Sequence, residues 1–303
     1  MKKRNNKFNA LRKICETKYN QNLKNYCSIK IGGNVRAVCF PNSVKKVKKL
    51  FKVLKQLNIK FYIIGFGTNL VFDDCYFDGV IVSITKFNKI FSNKKYVIAN
   101  AGANLFKLNY FCKTNNYDGL QWSFGIPGSC GGAVVMNAGC YGKEMKDVVR
   151  KVLVLSKNKI KVLTNKQCGF EYRNSIFRKQ QMLVLKVYYM LSQAQQNSIE
   201  KEQKEIYSKR LASQPYGTKN CGSVFKKLNN ESAGKVIDKL CLKGVKIGDI
   251  EISKKHANFF INNQNASFKD FLNMVQYVKQ QVFEKEGKNL EREVILLSDF
   301  KEI

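Results

Sequence analysis

The spacing of apolar residues predicts three helices. The first begins after Ser43, a residue type that caps helices, and its apolar positions are three or four residues apart with lysines between them: Val44, Val47, Phe51 and Leu54. Ser267 can cap another helix, which Gly287 can terminate, with an apolar face formed by Phe268, Phe271, Leu272, Val275, Val278 and Val282. A helix-like pattern also covers residues 104–115. Each of these helices is expected to bury one face and expose the other.

Short apolar runs between the helices predict β-strands. They cover residues 61–64, 79–84, 96–99, 149–155, 182–189 and 290–297. Strands and helices alternate along the chain, which indicates a mixed α and β structure. The polar segment 192–206 is rich in Gln, Lys and Glu and has few apolar residues, so we expect a domain boundary there.

Composition adds size and charge to this pattern. The chain has 303 residues, of which 44% are apolar and 12% aromatic, and this is enough for two or three packed units. Its 54 Lys and Arg outnumber its 22 Asp and Glu, giving a net charge of +32. The charge is interpreted as a solvated surface shaped by A/T-rich codons, because lysines recur along the whole chain; a polyanion-binding patch is the alternative. No nucleic acid is expected as a partner, and an anionic substrate would be steered electrostatically in either case.

Cysteine and histidine usage indicates the compartment. The ten cysteines form no C-x-x-C pair and His256 is the single histidine, so no metal site is expected. No secretory apolar region follows the basic start, and no apolar run approaches the roughly 20 residues of a membrane span. We expect a cytoplasmic protein with reduced thiols and no membrane association. Residues 1–20 are interpreted as a basic tail, with an organelle-targeting extension as the alternative.

Two glycine-rich segments are the strongest chemical signal. Gly65-Phe66-Gly67-Thr68-Asn69 leaves a predicted strand, and residues 125–142 read GIPGSCGGAVVMNAGCYG. Small residues at so many positions let backbone N–H groups approach an extended anion such as a pyrophosphate. Glycines after a strand are also typical of an ordinary tight turn, and a packed apolar bend would account for some glycines of the longer segment. Neither a G-x-G-x-x-G nor a Walker lysine is present.

The amino-acid sequences of these segments resemble those of a known family. The two glycine segments resemble the two pyrophosphate loops of the vanillyl-alcohol-oxidase-type FAD-binding domain. The chain from about Leu23 to about Leu297 resembles the UDP-N-acetylenolpyruvoylglucosamine reductase family, through SIKIGG at 28–33, GFGTNLVFDD at 65–74, the segment 125–142, YRNSIF at 172–177, GSVFK at 222–226, KHANFFIN at 255–262 and LEREV at 290–294. The spacing near the C-terminal domain resembles the second type of this family, which lacks an extra tyrosine-bearing loop.

The resemblance implies a fold and a reaction. The fold is α+β: a two-lobed FAD-binding domain of PCMH type over 21–195, with lobes about 21–85 and 86–195, and a smaller C-terminal α+β substrate-binding domain over 196–303. NADPH would reduce non-covalent FAD, which would pass hydride to the enolpyruvyl group of UDP-N-acetylglucosamine enolpyruvate. The product would be UDP-N-acetylmuramate for peptidoglycan synthesis, made by a monomer.

Three catalytic residues are carried over from the family. Ser223 would be the proton donor, which requires a polarising site because a hydroxyl is a weak acid; otherwise it is a turn serine. Arg173 suits an enolate-like intermediate through its planar, permanently charged group, with a surface ion pair as the alternative. Glu293 matches the family's glutamate. Since Glu291 precedes it by two residues, both are expected on one strand face, and periodicity alone does not choose between them.

The remaining predicted contacts are with cofactor and substrate. The resemblance assigns FAD binding to Gly65, Phe66, Gly67, Thr68, Asn69, Gly125, Ile126, Pro127, Gly128, Ser129, Gly132, Ala133, Asn137 and Gly139. Candidates for substrate binding are Arg210, Lys219, Lys226 and His256; the lysines could equally be solvated charges, and the histidine is interpreted as positioning or structural.

Two positions depart from the family pattern. Lys227-Leu228 stands where the family usually has Asn-Pro, so a cation replaces an amide expected near the substrate. Cys140 stands where alanine is usual, a small replacement that should keep the loop packed. Two rival functions remain: another flavoenzyme of this fold, against which GSVFK and LEREV argue, and a non-enzymatic polyanion-binding protein.

Overall fold

The computed structural model describes residues 2–180, 182–228 and 231–298, and the side chains among them from residue 7 onward. Residue 1 and residues 299–303, the outer ends of the predicted tail and C-terminal domain, lie outside the described residues. The α-helices are Lys2–Arg12, Val44–Gln56, Leu105–Thr114, Cys130–Val135, Met145–Val148, Ile176–Lys179, Gln196–Ser213, Ala233–Lys239 and Phe268–Glu286. Short 3-10 helices are Leu23–Tyr26, Ile84–Lys86, Gln121–Ser123 and Lys166–Cys168.

A four-stranded sheet forms the first lobe. Its strands, in spatial order, are Glu16–Asn22, Asn34–Phe40, Phe77–Ser83 and Phe61–Ile64. The first pair is antiparallel and the other two pairs are parallel. Side chains alternate between the two faces, so Val80 and Val82 enter one core while Ile81 enters another. The sheet therefore separates the core shared with the second lobe from the core shared with the C-terminal domain.

The start of the chain belongs to this lobe, so the interpretation of residues 1–20 as a tail was wrong. The helix Lys2–Arg12 buries Phe8 and Leu11 against the domain, and the strand Glu16–Asn22 pairs along its length. Tyr19 Oη donates to Phe8 O at 2.9 Å. Lysines and asparagines make up most of this helix, so the spacing of its two large apolar residues is too weak a signal to predict a packed helix.

A five-stranded antiparallel sheet forms the second lobe. Its strands, in spatial order, are Lys159–Thr164, Val149–Ser156, Met182–Tyr189, Val97–Asn100 and Ile90–Ser92. The helices Cys130–Val135 and Ile176–Lys179 pack against its central strand. Two small antiparallel pairs complete this lobe: Gly139–Cys140 with Lys143–Glu144, and Tyr117–Asp118 with Ser192–Gln193.

The polar segment after the second lobe is a packed helix. Gln196–Ser213 buries Ile199, Gln203, Ile206 and Arg210. Gln203 Nε2 donates to Asn109 O at 3.2 Å, across 94 residues of sequence. Two of the four buried residues are polar, so the spacing of apolar residues does not reveal the buried face of this helix. The segment is therefore part of the folded body, and the division at residue 196 stays a prediction.

The C-terminal domain has its own antiparallel sheet, with strands in the order Asn220–Ser223, Phe259–Asn262, Ile250–Ile252 and Lys246–Ile247. Its long helix, Phe268–Glu286, begins at a Ser267–Asp270 capping box and ends at Gly287 in the left-handed conformation. The strand Ile295–Leu297 then returns to the first lobe and pairs in parallel with Leu70–Phe72. This return joins the end of the chain to the first glycine segment.

Most predicted elements are confirmed. The three predicted helices form, and strands occupy the predicted runs at 61–64, 79–84, 96–99, 149–155 and 182–189 with ends shifted by two residues at most. The run 290–297 differs, because only Ile295–Leu297 forms a strand. No helix in the described part of the chain is long and apolar enough to cross a membrane.

Candidate active site

A cavity of about 1010 Å³ lies where the two lobes and the C-terminal domain meet. This is at the upper end of the range for small-molecule sites, which is about 300–1,000 Å³, so it has room for an extended ligand. The residues of the predicted cofactor set that line it are Gly65, Phe66, Gly67, Thr68, Asn69, Ile126, Pro127, Gly128, Ser129, Gly132, Ala133 and Gly139. Arg173, Ser223, Glu293 and Arg210 line it as well.

The first glycine segment is packed tightly against the backbone beneath it. Gly67 has a φ of 65°, and a Cβ there would lie 2.0 Å from Tyr26 O. Ser28 N donates to Gly67 O at 3.1 Å and fixes the turn. Only glycine satisfies both the backbone angle and the close approach at this position.

The two glycine segments are also joined to each other. Thr68 Oγ1 donates to Pro127 O at 3.0 Å. A Cβ at Gly65 would lie 2.3 Å from Ser129 Oγ, and that hydroxyl accepts from Gly132 N at 3.1 Å to cap the helix Cys130–Val135. The cavity wall is therefore one surface built mainly from backbone and small side chains.

Two predicted cofactor residues, Gly125 and Asn137, do not line the cavity. Gly125 O accepts from Tyr216 Oη, and Tyr216 itself lines the cavity. The Asn137 side chain is fully buried; its Nδ2 donates to Glu144 Oε2 and to Glu171 O, both at 3.0 Å. Its Oδ1 accepts from Lys146 N at 3.0 Å. The side chain of Asn137 therefore holds the loop in place from behind the cavity wall.

Arg173 lies in a tight turn. Glu171 N donates to Asn174 O at 3.0 Å and Asn174 N donates back to Glu171 O at 3.2 Å. This closure leaves Arg173 with a φ of 51°, which is uncommon for a residue with a side chain. Its Nε donates to Glu293 Oε1 at 2.9 Å and its Nη2 to Gly139 O at 2.8 Å. The guanidinium therefore connects the second glycine segment to the C-terminal end of the chain.

Glu293 is the mostly buried acidic partner of this ion pair, with 17% of its side chain exposed. Glu293 N donates to Val224 O at 2.8 Å, and Asn69 Nδ2 donates to Glu293 O at 3.2 Å. Burial raises the pKa of the Glu293 carboxyl above its ordinary value, and Arg173 offsets part of that rise. The carboxylate therefore sits where its charge is costly unless the arginine is present.

Ser223 reaches the cavity from the C-terminal sheet. Gly222 before it has a φ of 79°, and Gly222 N donates to Asn220 Oδ1 at 3.0 Å. The segment after Ser223 is fixed by Asn258, whose side chain accepts from Phe225 N at 2.9 Å and donates to Phe225 O at 2.8 Å. Together with the hydrogen bond from Glu293 N to Val224 O, this fixes the segment that carries Ser223 next to the backbone of Glu293, and Ser223 lines the same cavity as Arg173 and Glu293.

The structure separates the two glutamates, so the expectation that they share a strand face was wrong. The Glu291 side chain is 74% exposed and pairs with Lys226, whereas the Glu293 side chain is 17% exposed and pairs with Arg173. The segment becomes a regular strand only at Ile295, so two-residue alternation does not apply to it.

Of the four predicted substrate-binding residues, one lines the cavity and three do not. Arg210 is buried in the cavity wall, and its Nη2 donates to Cys140 Sγ at 2.6 Å and to Trp122 O at 3.3 Å. Lys226, Lys219 and His256 do not line the cavity. Lys226 pairs with Glu291, and Lys219 Nζ donates to Gln264 O at 3.1 Å.

His256 lies in the packing of the C-terminal domain. Its Nδ1 accepts from Asn258 N at 3.2 Å and its ring lies 4.8 Å from the ring of Phe259. Burial lowers the pKa of the imidazole. These contacts match a structural role, in which His256 supports the Asn258 clamp on the Ser223 segment.

Cys140 and Lys227, two positions at which the chain departs from the family pattern, both make hydrogen bonds near the site. Cys140 lines the cavity, and its thiol donates to Trp122 O at 2.9 Å beside Arg210. Lys227 N donates to Tyr172 Oη at 3.2 Å, next to the Arg173 turn. The backbone at Lys227 thus retains a contact near the site, although its side chain does not line the cavity.

The cavity is strongly cationic. Among the described residues that line it, the positively charged ones are Lys55, Lys157, Arg173, Arg178 and Arg210, whereas Glu293 is the one carboxylate. Such a lining attracts phosphates and carboxylates. Arg178 and Tyr216 were absent from the sequence-based predictions. Arg178 follows the YRNSIF motif directly, but a single basic residue carries little signal in so basic a chain.

Comparisons with known proteins agree with this geometry. Residues 214–297 match the C-terminal domain model of UDP-N-acetylenolpyruvoylglucosamine reductase, and residues 35–160 match a model named FAD binding domain. The reductase of Caldanaerobacter subterraneus is 37% identical over 92% of this chain and 93% of its own length. That of Clostridium novyi is 36% identical over 98% and 97%. The crystal structure of the Thermus caldophilus reductase superposes with a TM-score of 0.78 at 29% identity, covering 93% of this chain and 98% of that one.

Proposed function

The chain belongs to the UDP-N-acetylenolpyruvoylglucosamine reductase family, and we propose that it reduces the enolpyruvyl group of UDP-N-acetylglucosamine enolpyruvate at the expense of NADPH. The product is UDP-N-acetylmuramate, a precursor of peptidoglycan. One observation carries the proposal: Arg173, Ser223 and Glu293, from three distant parts of the sequence, line a single cavity together with both glycine segments.

The cavity fits FAD, the cofactor of this family. Its two glycine segments exclude side chains from one continuous wall, and Gly128, with a φ of 149°, presents open space there apart from Thr68 Oγ1 at 3.3 Å from an added Cβ. The excess of lining cations suits the pyrophosphate. Bound FAD would accept hydride from NADPH and deliver it to the substrate.

Arg173, Ser223 and Glu293, here called the trio, have different roles in the rest of the reaction. Hydride addition builds negative charge beside the substrate carboxylate, and the Arg173 guanidinium is placed to stabilise that charge. Ser223 Oγ donates the proton that completes the reduction. The Arg173–Glu293 pair, which lines the same cavity, supplies the fixed charges that a weakly acidic hydroxyl requires. Glu293 also orients the guanidinium, since it accepts from Arg173 Nε.

Substrate binding is assigned mainly to the C-terminal side of the cavity. Arg210 is the candidate for the substrate pyrophosphate, because it is the predicted substrate cation that lines the cavity. Lys219, Lys226 and His256 would act from outside the lining, by closing on the ligand or by supporting the wall. The domain limits given above, with substrate binding over 196–303, belong to this proposal.

The state of the protein in the cell completes the proposal. All ten cysteines are free thiols, in keeping with a reducing compartment, and we assign the protein to the cytoplasm as a monomer. Light scattering of the purified FAD-loaded protein tests the monomer; a concentration-independent dimer would contradict it.

Substrate-dependent oxidation of NADPH tests the function. FAD-loaded protein is mixed with NADPH under anaerobic conditions, and loss of the nicotinamide absorbance is followed after addition of UDP-N-acetylglucosamine enolpyruvate. We expect one NADPH consumed per substrate and UDP-N-acetylmuramate as product. UDP-N-acetylglucosamine, which lacks the enolpyruvyl group, is the matched control. NADPH oxidation that is independent of the enolpyruvyl group would contradict the proposal.

A further inference from the structure

The backbone of Arg173 is held by a second arginine in the cavity wall. Arg178 Nη1 donates to the carbonyl oxygen of Arg173 at 3.1 Å, and Arg178 itself lines the cavity. This contact is separate from the Arg173 side chain, which donates to Glu293 and Gly139. Arg178 therefore restrains the backbone that carries the Arg173 guanidinium and does not contact the guanidinium itself through this hydrogen bond.

The Arg173 turn needs such a restraint. A non-glycine residue in the left-handed conformation is strained, and it persists where its surroundings enforce it. The turn is closed by two backbone hydrogen bonds between Glu171 and Asn174. A third hydrogen bond reaches the turn from outside it, because Arg178 Nη1 donates to the Arg173 carbonyl oxygen. Relaxing the turn would move the guanidinium away from Glu293.

Arg178 is well anchored for this task. It belongs to the short helix Ile176–Lys179, which begins where the buried Ser175 Oγ donates to Val135 O at 2.6 Å. Phe177, beside it, is buried in the core of the second lobe. The helix is thereby tied to the end of the Cys130–Val135 helix of the second glycine segment. A rigid platform thus carries the donor that restrains the turn.

We propose that Arg178 is a positioning residue, which holds the Arg173 turn in its left-handed conformation so that the guanidinium meets both Glu293 and the charge that develops on the substrate. The inference rests on the proposed function, since it assigns the step that Arg178 supports. It distinguishes Arg178 from a cation that binds the cofactor phosphates directly.

The test separates the two half-reactions of FAD-loaded protein by anaerobic stopped flow. The variants are Arg178→Ala, Arg178→Lys, Arg173→Ala and the double variant Arg173→Ala/Arg178→Ala. Lys179→Ala is the matched control, because Lys179 lies on the same helix and contacts the exposed side chain of Glu171 rather than the backbone of the turn. Flavin reduction by NADPH, flavin reoxidation by substrate and the dissociation constant for FAD are measured for each.

Arg178→Ala should slow reoxidation by about tenfold, as loss of one hydrogen bond from a charged donor does, with flavin reduction and FAD affinity nearly unchanged. Arg178→Lys should retain most of the rate, because its ammonium can donate to the same carbonyl. Lys179→Ala should stay within about twofold of wild type, since it removes an exposed ion pair. In the Arg173→Ala background, Arg178→Ala should have no further effect on reoxidation.

Two results would overturn the inference. One is an equal loss from Arg178→Ala whether or not Arg173 is present, which would indicate general destabilisation. The other is weaker FAD binding with unchanged reoxidation, which would make Arg178 a cofactor-binding cation. If the wild-type flavin is not reoxidised by the substrate, the proposed function fails, and phenylglyoxal labelling of Arg173 then decides the positioning role: faster labelling in Arg178→Ala supports it, and equal labelling overturns it.

Discussion

The two glycine segments and the Arg173–Ser223–Glu293 trio line the same cavity but are built in different ways. The segments are local: each is continuous in sequence, and close backbone contacts such as that between Gly67 and Tyr26 fix its shape. The trio is assembled from distant parts of the chain: Arg173 and Glu293 are 120 positions apart, and hydrogen bonds of Glu293 with Val224 and Asn69 hold its parts together. The glycine segments are shaped by the absence of side chains, whereas the trio depends on where its side chains lie.

Because different contacts hold the two regions, we expect cofactor retention and chemistry to be separable. A change in the glycine segments should release FAD, because the wall itself changes shape. A change in the trio should leave that wall intact and alter only the step in which the substrate takes up charge.

Replacement of Ser223 by alanine should give the largest effect. Removing a general acid typically costs about 10²–10⁴-fold in rate, and we expect about 10³-fold for reoxidation of reduced flavin by the substrate. Reduction of the flavin by NADPH should be unchanged, because Ser223 has no role in that half-reaction. Anaerobic stopped flow measures both rates. Slowed reduction with intact reoxidation would refute the proton-donor role.

Gly67→Ala should instead weaken FAD binding. The added Cβ would lie 2.0 Å from Tyr26 O at a residue whose φ is 65°, so the segment must shift. We expect binding on the order of 100-fold weaker, or about 3 kcal/mol, measured by flavin titration of the apoprotein. Gly287→Ala is the matched control: its φ is 64°, and no described atom lies within 4 Å of the added Cβ. If both variants bind FAD like the wild type, the close contact at Gly67 is unimportant.

Glu293→Gln should slow reoxidation by about 30-fold, because a neutral amide oxygen replaces the carboxylate as the acceptor from Arg173, and hydrogen bonds between charged groups contribute about 1.5–3 kcal/mol. Glu291→Gln, on the exposed neighbour, is the control and should behave like wild type. If the two variants are equally slow, the assignment of Glu293 as the partner of Arg173 fails. Steady-state rates with saturating NADPH provide the comparison.

The same carboxyl should be visible in the pH dependence. Its pKa is raised by burial, so protonation, which weakens the ion pair with Arg173, should begin at a higher pH than for an ordinary glutamate. Reoxidation should therefore fall as the pH is lowered through this raised pKa, by up to about tenfold per unit. The acid limb should disappear in Glu293→Gln. An unchanged limb in that variant would assign it to another group.

Lys226→Ala should have the smallest effect. Its ammonium pairs with Glu291 outside the cavity, so we expect the KM for the substrate to rise by no more than about threefold, as for other exposed pairs. Arg210→Lys, in the cavity wall, should raise the KM by about tenfold, since a planar donor of several hydrogen bonds is lost. A larger effect at Lys226 than at Arg210 would show that the C-terminal domain closes on the substrate differently.

The local region of the site could be predicted from the sequence. Glycines at fixed positions and apolar residues at regular spacing reveal the two loops, the helices after Ser43 and Ser267, and most strands. The family resemblance supplied the trio, and the structure brings those residues together. The sequence alone could not have joined Arg173 to Glu293, because nothing local links them.

The features that could not be predicted from the sequence share one physical cause. In each, a polar residue is buried by contacts with residues far away in the sequence. Gln203 and Arg210 make the helix Gln196–Ser213 look like a linker, yet each finds a backbone carbonyl on the second lobe. Asn137 resembles a ligand contact in the glycine segment, although its amide is fully used behind the wall. The choice of Glu293 over Glu291 likewise depended on backbone contacts that alternation does not encode.

The dissociation constant for FAD, compared between Ser223→Ala and Gly67→Ala, tests the separation of the two regions most directly. Both apoproteins are titrated with FAD under the same conditions as wild type. We predict that Ser223→Ala binds FAD within about twofold of wild type while Gly67→Ala binds it on the order of 100-fold more weakly. If the two variants lose FAD to the same extent, the cofactor wall and the catalytic trio are not separable and the account is contradicted.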